Sequence, residues 1–580
     1  MPRLPLDRRT LLRGAGVAGA AAALDGLLPA WAQSAGMGGM MGHMAASGAV
    51  PPAGPTLVGP DIALSVGEIH FEIDGKPAHA VGMNGTVPAP LIRLREGQSA
   101  RIKVTNGLDE DTSVHWHGLL LPFQMDGVPG LTFPGIKPGE TFTYEFPVIQ
   151  SGTYWYHSHS GLQEPMGHYG PIIIDPAGPD PIAYDREHVV MLSDFSPIHP
   201  HALMQKLKQQ PGVFNFQRET VAGLLAGKDQ PLKDRMEWAK MLMDPADISD
   251  LTGATFAFLI NGHGPGDNWT GLFTPGERVR LRFINAAAQT IFNIRIPGLK
   301  LTVVAADGQP VRPVEVDEFQ IGNAETFDVI VQAFEDKAFT LVAEAVDRSG
   351  MACGTLAPRP GMSAEVPPLR ARPLATMRDM GMDMPKMAGM SGGGMDMSML
   401  NPKNAPQVKM GPGVQSIAPM PTYRTGEPGQ GLEGLDHRIL VYTDLAALAP
   451  NPDTRAPSRA LEIHLTGNME RFMWGFDGVS YADGPPPYPF RKGERVRVTL
   501  VNDTMMAHPI HLHGHFFELV QGTAGHMPRK HTVVVAPGGK VDFDFTAEPG
   551  DWAFHCHMLY HMHAGMFQVF AVRPFDGEAG

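Results

Sequence analysis

Residues 491–502 read RKGERVRVTLVN: a glycine turn, then apolar Val496, Val498 and Leu500 alternating with polar Arg495, Arg497 and Thr499. A period of two marks a strand with one face buried. The pattern recurs as REGQSARIKVTN (95–106) and TPGERVRLRFIN (274–285), and in all three a glycine precedes an asparagine by nine positions. Three copies of one half-buried strand and its turn predict three similar β domains. The 54 prolines and 67 glycines agree, favouring short strands joined by turns over long helices.

Nine and eleven residues beyond the asparagine, the first copy has His115 and His117 and the third has His511 and His513, whereas the second has Ile294 and Ile296. A second echo follows: PGETFTYEF (138–146) leads to His157 and His159, and PGGKVDFDF (537–545) leads to His555 and His557. The related NAETFDVIV (323–331) leads to no histidine. The end domains are therefore expected to carry the chemistry and the middle one to space or brace them. Expected boundaries are 56–178, 186–348 and 435–575, with a linker over 349–434.

The chain's 580 residues, 43% hydrophobic, suffice for several buried cores, and a net charge of −14 argues against a nucleic-acid partner. The N-terminus carries Arg8 and Arg9, a short alanine-rich apolar run and the small-residue pattern Ala30-Trp31-Ala32. Residues 1–32 thus resemble a twin-arginine export signal, which implies a periplasmic protein handled by that export machinery. The apolar run is too short for a membrane anchor. Only Cys353 and Cys556 occur, so a ligand role for Cys556 precludes a disulfide within the chain and leaves Cys353 structurally neutral.

In a strand, residues i and i+2 share a face, so each His-x-His offers two nitrogens to one place. Eight imidazoles at repeat-matched positions, with no accompanying carboxylate, suit copper, zinc or iron. His199-Pro200-His201 lies outside the repeats and reads as a chance pair; His515 reads as structural. Cys556 sits between His555 and His557, so its sulfur points to the opposite face, and His508 has opposite parity to His511 and His513. His508, Cys556, a following histidine (His561 or His563) and Met566 then form a His2Cys site with an axial thioether, the blue-copper set. Copper is favoured over zinc, because a tetrahedral zinc site gains little from a thioether.

HWHG (115–118), YHSH (156–159), HPIHLHG (508–514) and HCHMLYHMHAGM (555–566) resemble, in order and spacing, the four copper motifs of the multicopper oxidase family. WHGLLLPFQMDGVPG (116–130), SGTYWYHSHSGLQE (151–164) and GNMERFMWGFDG (467–478) are similar to its bacterial copper-resistance (CopA-type) branch. The resemblance implies an all-β fold of three cupredoxin-like Greek-key sandwiches and four copper ions. It assigns His508, Cys556, His561 and Met566 to a type 1 copper, and His115 and His511 to a type 2 copper. One type 3 copper takes His117, His157 and His557; the other takes His159, His513 and His555. His555, Cys556 and His557 would link the type 1 copper to the cluster. Asp126 matches an acidic residue near the type 2 copper and is expected to move protons. Where some relatives have an acid after the type 1 histidine, this chain has Met562 and His563.

Residues 377–399 contain nine methionines: Met377, Met380, Met382, Met384, Met387, Met390, Met395, Met397 and Met399. Few other apolar residues accompany them, so the segment is expected to be flexible, with a shorter Met/Gly-rich relative over 33–55. Thioether sulfur prefers Cu(I) to hard cations, which points to recruitment of cuprous ion. The expected activity is oxidation of Cu(I) coupled to reduction of O2 to water, by a monomer. The alternatives are a laccase-like oxidase of phenols or other small reducing substrates and a non-enzymatic copper-sequestering protein.

Overall fold

The structure is a computed structural model that describes residues 54–382 and 399–574. The export signal, most of the Met/Gly-rich segment and Met384, Met387, Met390, Met395 and Met397 lie outside the described residues. Among the described residues, no helix is long and apolar enough to cross a membrane.

Each repeat strand occupies the same place in its own domain. Ser99–Asn106 pairs parallel with Asp61–Ile73 and antiparallel with Thr141–Pro147. Arg278–Asn285 does the same with Arg186–Phe195 and Thr326–Gln332, and Arg495–Asn502 with Arg459–Asn468 and Gly539–Thr546. The asparagine at the strand end explains why the repeat keeps that residue. Asn106 donates from Nδ2 to the carbonyls of Glu110 and Ile136, Asn285 to those of Thr290 and Ile321, and Asn502 to those of Met506 and Val535. In every copy Oδ1 accepts from the backbone N–H two residues on. Each amide is fully buried, so its loss leaves backbone groups unpaired, at about 1–3 kcal/mol per group.

These strands sit in three two-sheet sandwiches. In the first domain a four-stranded and a five-stranded sheet enclose one core. The second has six and five strands, and the third seven and five. The middle sandwich takes its last strand, Met351–Ala357, from beyond residue 348, inside the stretch expected to be linker. Cys353 is buried on that strand and unpaired, its thiol pushed up to about 12 by burial. Between Arg186–Phe195 and Ala257–Ile260 the middle domain inserts three helices, Pro200–Gln209, Val221–Leu225 and Leu232–Lys240, for which no β repeat gave a signal. His199 caps the first of them, accepting from the His201 N–H.

Candidate metal centres

Strand register decides which side chains meet. His508–Leu512 runs antiparallel to Gly550–Cys556, with His511 opposite His555 and Ile510 opposite Cys556. Opposed residues share a face, so His511 and His555 project to one side, and Cys556 and His508 to the other. In the first domain His115 stands opposite His157 and His117 opposite Trp155. The two domains bring their histidine faces together. The His115 ring stacks on His513 at 3.9 Å between centroids, and His117 stacks on His511 at 3.8 Å. His557 lies 4.9 Å from His117 and 5.0 Å from His157, while His159 lies 5.2 Å from His513 and 5.3 Å from His555.

Most outer ring nitrogens have partners and most inner ones do not. Nδ1 of His115 donates to the Asp126 carbonyl at 2.7 Å, that of His511 to the His531 carbonyl at 2.7 Å, and that of His555 to the Cys556 carbonyl at 3.0 Å. His513 Nδ1 lies 2.8 Å from Asp126 Oδ2, and His157 Nδ1 lies 2.7 Å from Glu164 Oε2. The Nε2 atoms of His115, His157, His159 and His511, Nδ1 of His117 and both ring nitrogens of His557 are buried without a hydrogen-bond partner. Buried polar atoms go unpaired in such numbers only where something else satisfies them, and lone-pair nitrogens held by outer carbonyls and carboxylates are how metal-binding imidazoles are oriented. Burial, with neighbouring rings adding to it, pushes His117, His157, His159, His511, His513 and His557 well below the usual histidine range. Neutral imidazole is the metal-ligating form.

On the other face, His508 Nδ1 and His561 Nδ1 are 3.2 Å apart and lie 3.6 and 3.9 Å from Cys556 Sγ. Their far nitrogens are again held, His508 Nε2 by the Thr504 hydroxyl at 2.7 Å and His561 Nε2 by Asp250 Oδ2 at 2.7 Å. Trp474 stacks on His561 at 4.0 Å. Met566 is fully buried in the same core, its carbonyl accepting from Cys556 N–H and its N–H donating to the His561 carbonyl. Burial pushes the Cys556 thiol up, so ionisation there calls for a metal in place of the proton.

The short helix Leu559–His563 separates the two candidate histidines. His561 is fully buried and faces Cys556, while His563, two residues on, lies on the exposed side. His515 is held between the His513 carbonyl and the Glu548 N–H, away from the other histidines' inner nitrogens. Asp126 is buried after the 3-10 turn Phe123–Met125 and touches His115 and His513, so its side chain faces the histidines rather than capping a surface turn.

Four residues near the sites escaped sequence reading. Glu164 orients His157, and burial raises its carboxyl well above the usual range. Asp250 belongs to the helical insertion, where no repeat flags it. His531 is wholly buried, its imidazole pushed down to about 4 by burial, with its ring 4.8 Å from His117 and 5.5 Å from His511. Thr532 places its hydroxyl between His117, His511 and His531. A lone buried histidine at a bend, or a threonine opening the strand after it, carries no pattern that marks it in advance.

The methionines that are described form one patch. Met377, Met380, Met382 and Met399 cluster with Met241, Met243, Met469, Met505 and Trp238. Met469 also packs against the core that holds Cys556 and Met566. Beside the patch is a cavity lined by Met243, Met469, Met505, Asp244 and Asp247. Burial raises the Asp247 carboxyl to about 6 and that of Asp250, three residues on, to about 7.

Three cupredoxin-like sandwiches, an imidazole cage between the first and last, and a His2Cys set on the back of the same strand define a copper-dependent oxidoreductase that uses O2. Multicopper oxidase family models match residues 65–178, 186–358 and 454–576, and the chain belongs to that family. It is 46% identical to copper resistance protein A of Escherichia coli, over 97% of this chain and 99% of that one. It is 45% identical to copper resistance protein A of Pseudomonas syringae pv. tomato, over 97% and 98%. Among solved structures it is similar to Fet3p, a multicopper oxidase that functions in iron import, with a TM-score of 0.62 at 20% identity over 89% of this chain and 91% of that one.

Proposed function

We propose that this protein is a periplasmic cuprous oxidase that lowers copper toxicity, exported by the twin-arginine route. The reaction balances as four Cu(I), one O2 and four protons giving four Cu(II) and two waters. The type 1 site is His508, Cys556, His561 and Met566; the type 2 site is His115 and His511. The type 3 pair is His117, His157 and His557 with His159, His513 and His555. When bound, these four coppers supply one-electron oxidation at the thiolate site and reduction of O2 at the cage. The unpartnered inner nitrogens and the soft sulfur donors support that fit.

One observation carries the choice of substrate: the methionine patch lies beside a cavity lined by Asp244 and Asp247, in the same insertion as Asp250, which holds His561. Sulfur and carboxylate together suit capture of Cu(I) and retention of the Cu(II) formed, whereas a phenol needs neither. Asp250 fixes the His561 tautomer, leaving Nδ1 free beside Cys556. Asp126, which holds one histidine from each end domain, is placed to pass protons to the cage.

The test replaces Met469 and Met505 by leucine, alone and together, and compares turnover of Cu(I) with that of a phenol. The expected result is a raised KM for Cu(I) with phenol turnover unchanged. Unchanged Cu(I) kinetics in the double variant overturn the assignment of substrate.

A further inference from the structure

The middle domain reaches the cage through the tip of one hairpin. Asp307 and Gly308 join strands Leu301–Ala306 and Gln309–Val316, at φ +47° and +74°. Both values are positive, as the tight turn of a twisted hairpin requires, and Asp-Gly is a pair that adopts them. The tip touches both end domains. An added Cβ on Gly308 would lie 2.3 Å from the Tyr154 ring of the first domain, so the backbone docks there only because no side chain intervenes. Gln309 donates to the Tyr154 hydroxyl at 3.1 Å and accepts from Arg529 of the last domain at 3.1 Å.

Asp307 is the wholly buried centre of this junction. Its Oδ1 accepts from the Thr326 N–H at 3.0 Å, which fixes the carboxylate within its own domain. Its Oδ2 accepts from the N–H groups of His531 and Thr532, each at 3.1 Å, and lies 3.0 Å from Lys530 Nζ. These three residues make the bend between Arg529–Lys530 and Thr532–Val535. The bend sets two groups on the outer side of the cage. The His531 carbonyl accepts from His511 Nδ1 at 2.7 Å, and the Thr532 hydroxyl lies 3.2 Å from that nitrogen and 3.4 Å from His117 Nε2. The inner nitrogens of the same rings, His511 Nε2 and His117 Nδ1, are the ones left without a partner. A lone pair aimed inward leaves the proton on the outer nitrogen, so the hydroxyl oxygen accepts from both rings. The two rings come from opposite end domains and stack at 3.8 Å.

We propose that Thr532 is a positioning residue of the copper cluster, its hydroxyl fixing the type 2 histidine His511 and the type 3 histidine His117 together, and that Asp307 of the middle domain sets where that hydroxyl stands. The inference rests on the copper reading above. It gives the middle domain, which has neither histidine pair, a defined part in the geometry of the O2-reducing site.

The test compares Thr532→Val, which keeps the shape and removes the hydroxyl, with Thr532→Ser, which keeps the hydroxyl, and with Asp307→Asn, which leaves every cage residue in place. Electron paramagnetic resonance of the copper-loaded proteins should show altered type 2 hyperfine splitting in Thr532→Val and Asp307→Asn, with type 2 copper affinity lowered about 10–100-fold in a chelator titration. Thr532→Ser should match the unaltered protein in both. The blue absorption and its anaerobic bleaching should be unchanged throughout, reporting a folded chain and an intact Cys556 site, while return of the blue colour in O2 slows in the first two. Unchanged splitting and affinity in Thr532→Val, or Thr532→Ser behaving like Thr532→Val, overturns the inference and leaves the oxidase reading in place. If Thr532→Val lacks the blue absorption, Asp307→Asn decides by the same two measurements. A fully copper-loaded unaltered protein with no type 2 signal overturns the copper reading and the inference together.

Discussion

Asp250 Oδ2 and His561 Nε2 lie 2.7 Å apart, one from the helical insertion of the middle domain and the other from the last domain. The contact ties the helical insertion, whose Asp244 and Asp247 line the methionine cavity, to the thiolate site, and it sets which nitrogen of His561 faces Cys556. For Asp250→Asn, Cu(I) turnover should fall about 10–100-fold, as loss of an orienting partner typically does. Phenol turnover should fall less, since a phenol has no use for the carboxylate. Steady-state kinetics with both substrates checks this, and equal losses would reduce Asp250 to a general support for the site.

Cys556 is fully buried and flanked in sequence by two histidines that face the cage. Cys556→Ser should abolish the blue absorption and oxidation of every substrate, while copper bound at the cage is retained. Visible absorption and copper analysis together read both outcomes; retained oxidase activity contradicts the assigned electron route.

Asp126 contacts His115 of its own domain and His513 of the last one. For Asp126→Asn, the blue site should still bleach on reduction, but its return in O2 should slow by about 10²–10⁴-fold, the usual weight of a positioned proton carrier. Anaerobic reduction followed by mixing with O2 separates the two half-reactions.

Glu187 joins the first two domains, meeting Arg93 at 2.5 Å and Arg282 at 2.8 Å. Burial alone would raise its carboxyl, but the Arg282 charge and hydrogen bonds from Arg93 and Arg282 hold it down at about 2. The unfolded value is about 4.3, so the bridge stabilises the fold above that pH and is lost as pH falls towards 2. Glu187→Gln should cost about 1–3 kcal/mol at neutral pH, with the difference from the unaltered protein shrinking at about pH 3. Denaturant unfolding at the two pH values measures it.

The fold and the cage were legible because they repeat. Val496, Val498 and Leu500 have counterparts in the other two copies, and a buried asparagine must end each strand to satisfy the same turn. The His115 and His511 pairs follow at fixed offsets, and strand parity alone separates Cys556 from His555. What escaped was not periodic. Asp250 lies in an insertion that only the middle domain has, and His531 is a lone histidine at the bend between Arg529–Lys530 and Thr532–Val535. Spacing in the family motif assigns the copper to His561 over His563, and in helix Leu559–His563 residues two apart face nearly opposite ways. Five of the nine methionines in 377–399 lie outside the described residues; the other four meet Met241, Met243, Met469 and Met505, which are distant in sequence and carry no local signal.

The most direct test of the account is the ratio of Cu(I) oxidised to O2 consumed, measured with an oxygen electrode and a cuprous chelator on the copper-loaded protein. The account predicts sustained turnover at four Cu(I) for each O2, with no peroxide released. Binding of Cu(I) without O2 uptake, or peroxide as the product, would contradict it.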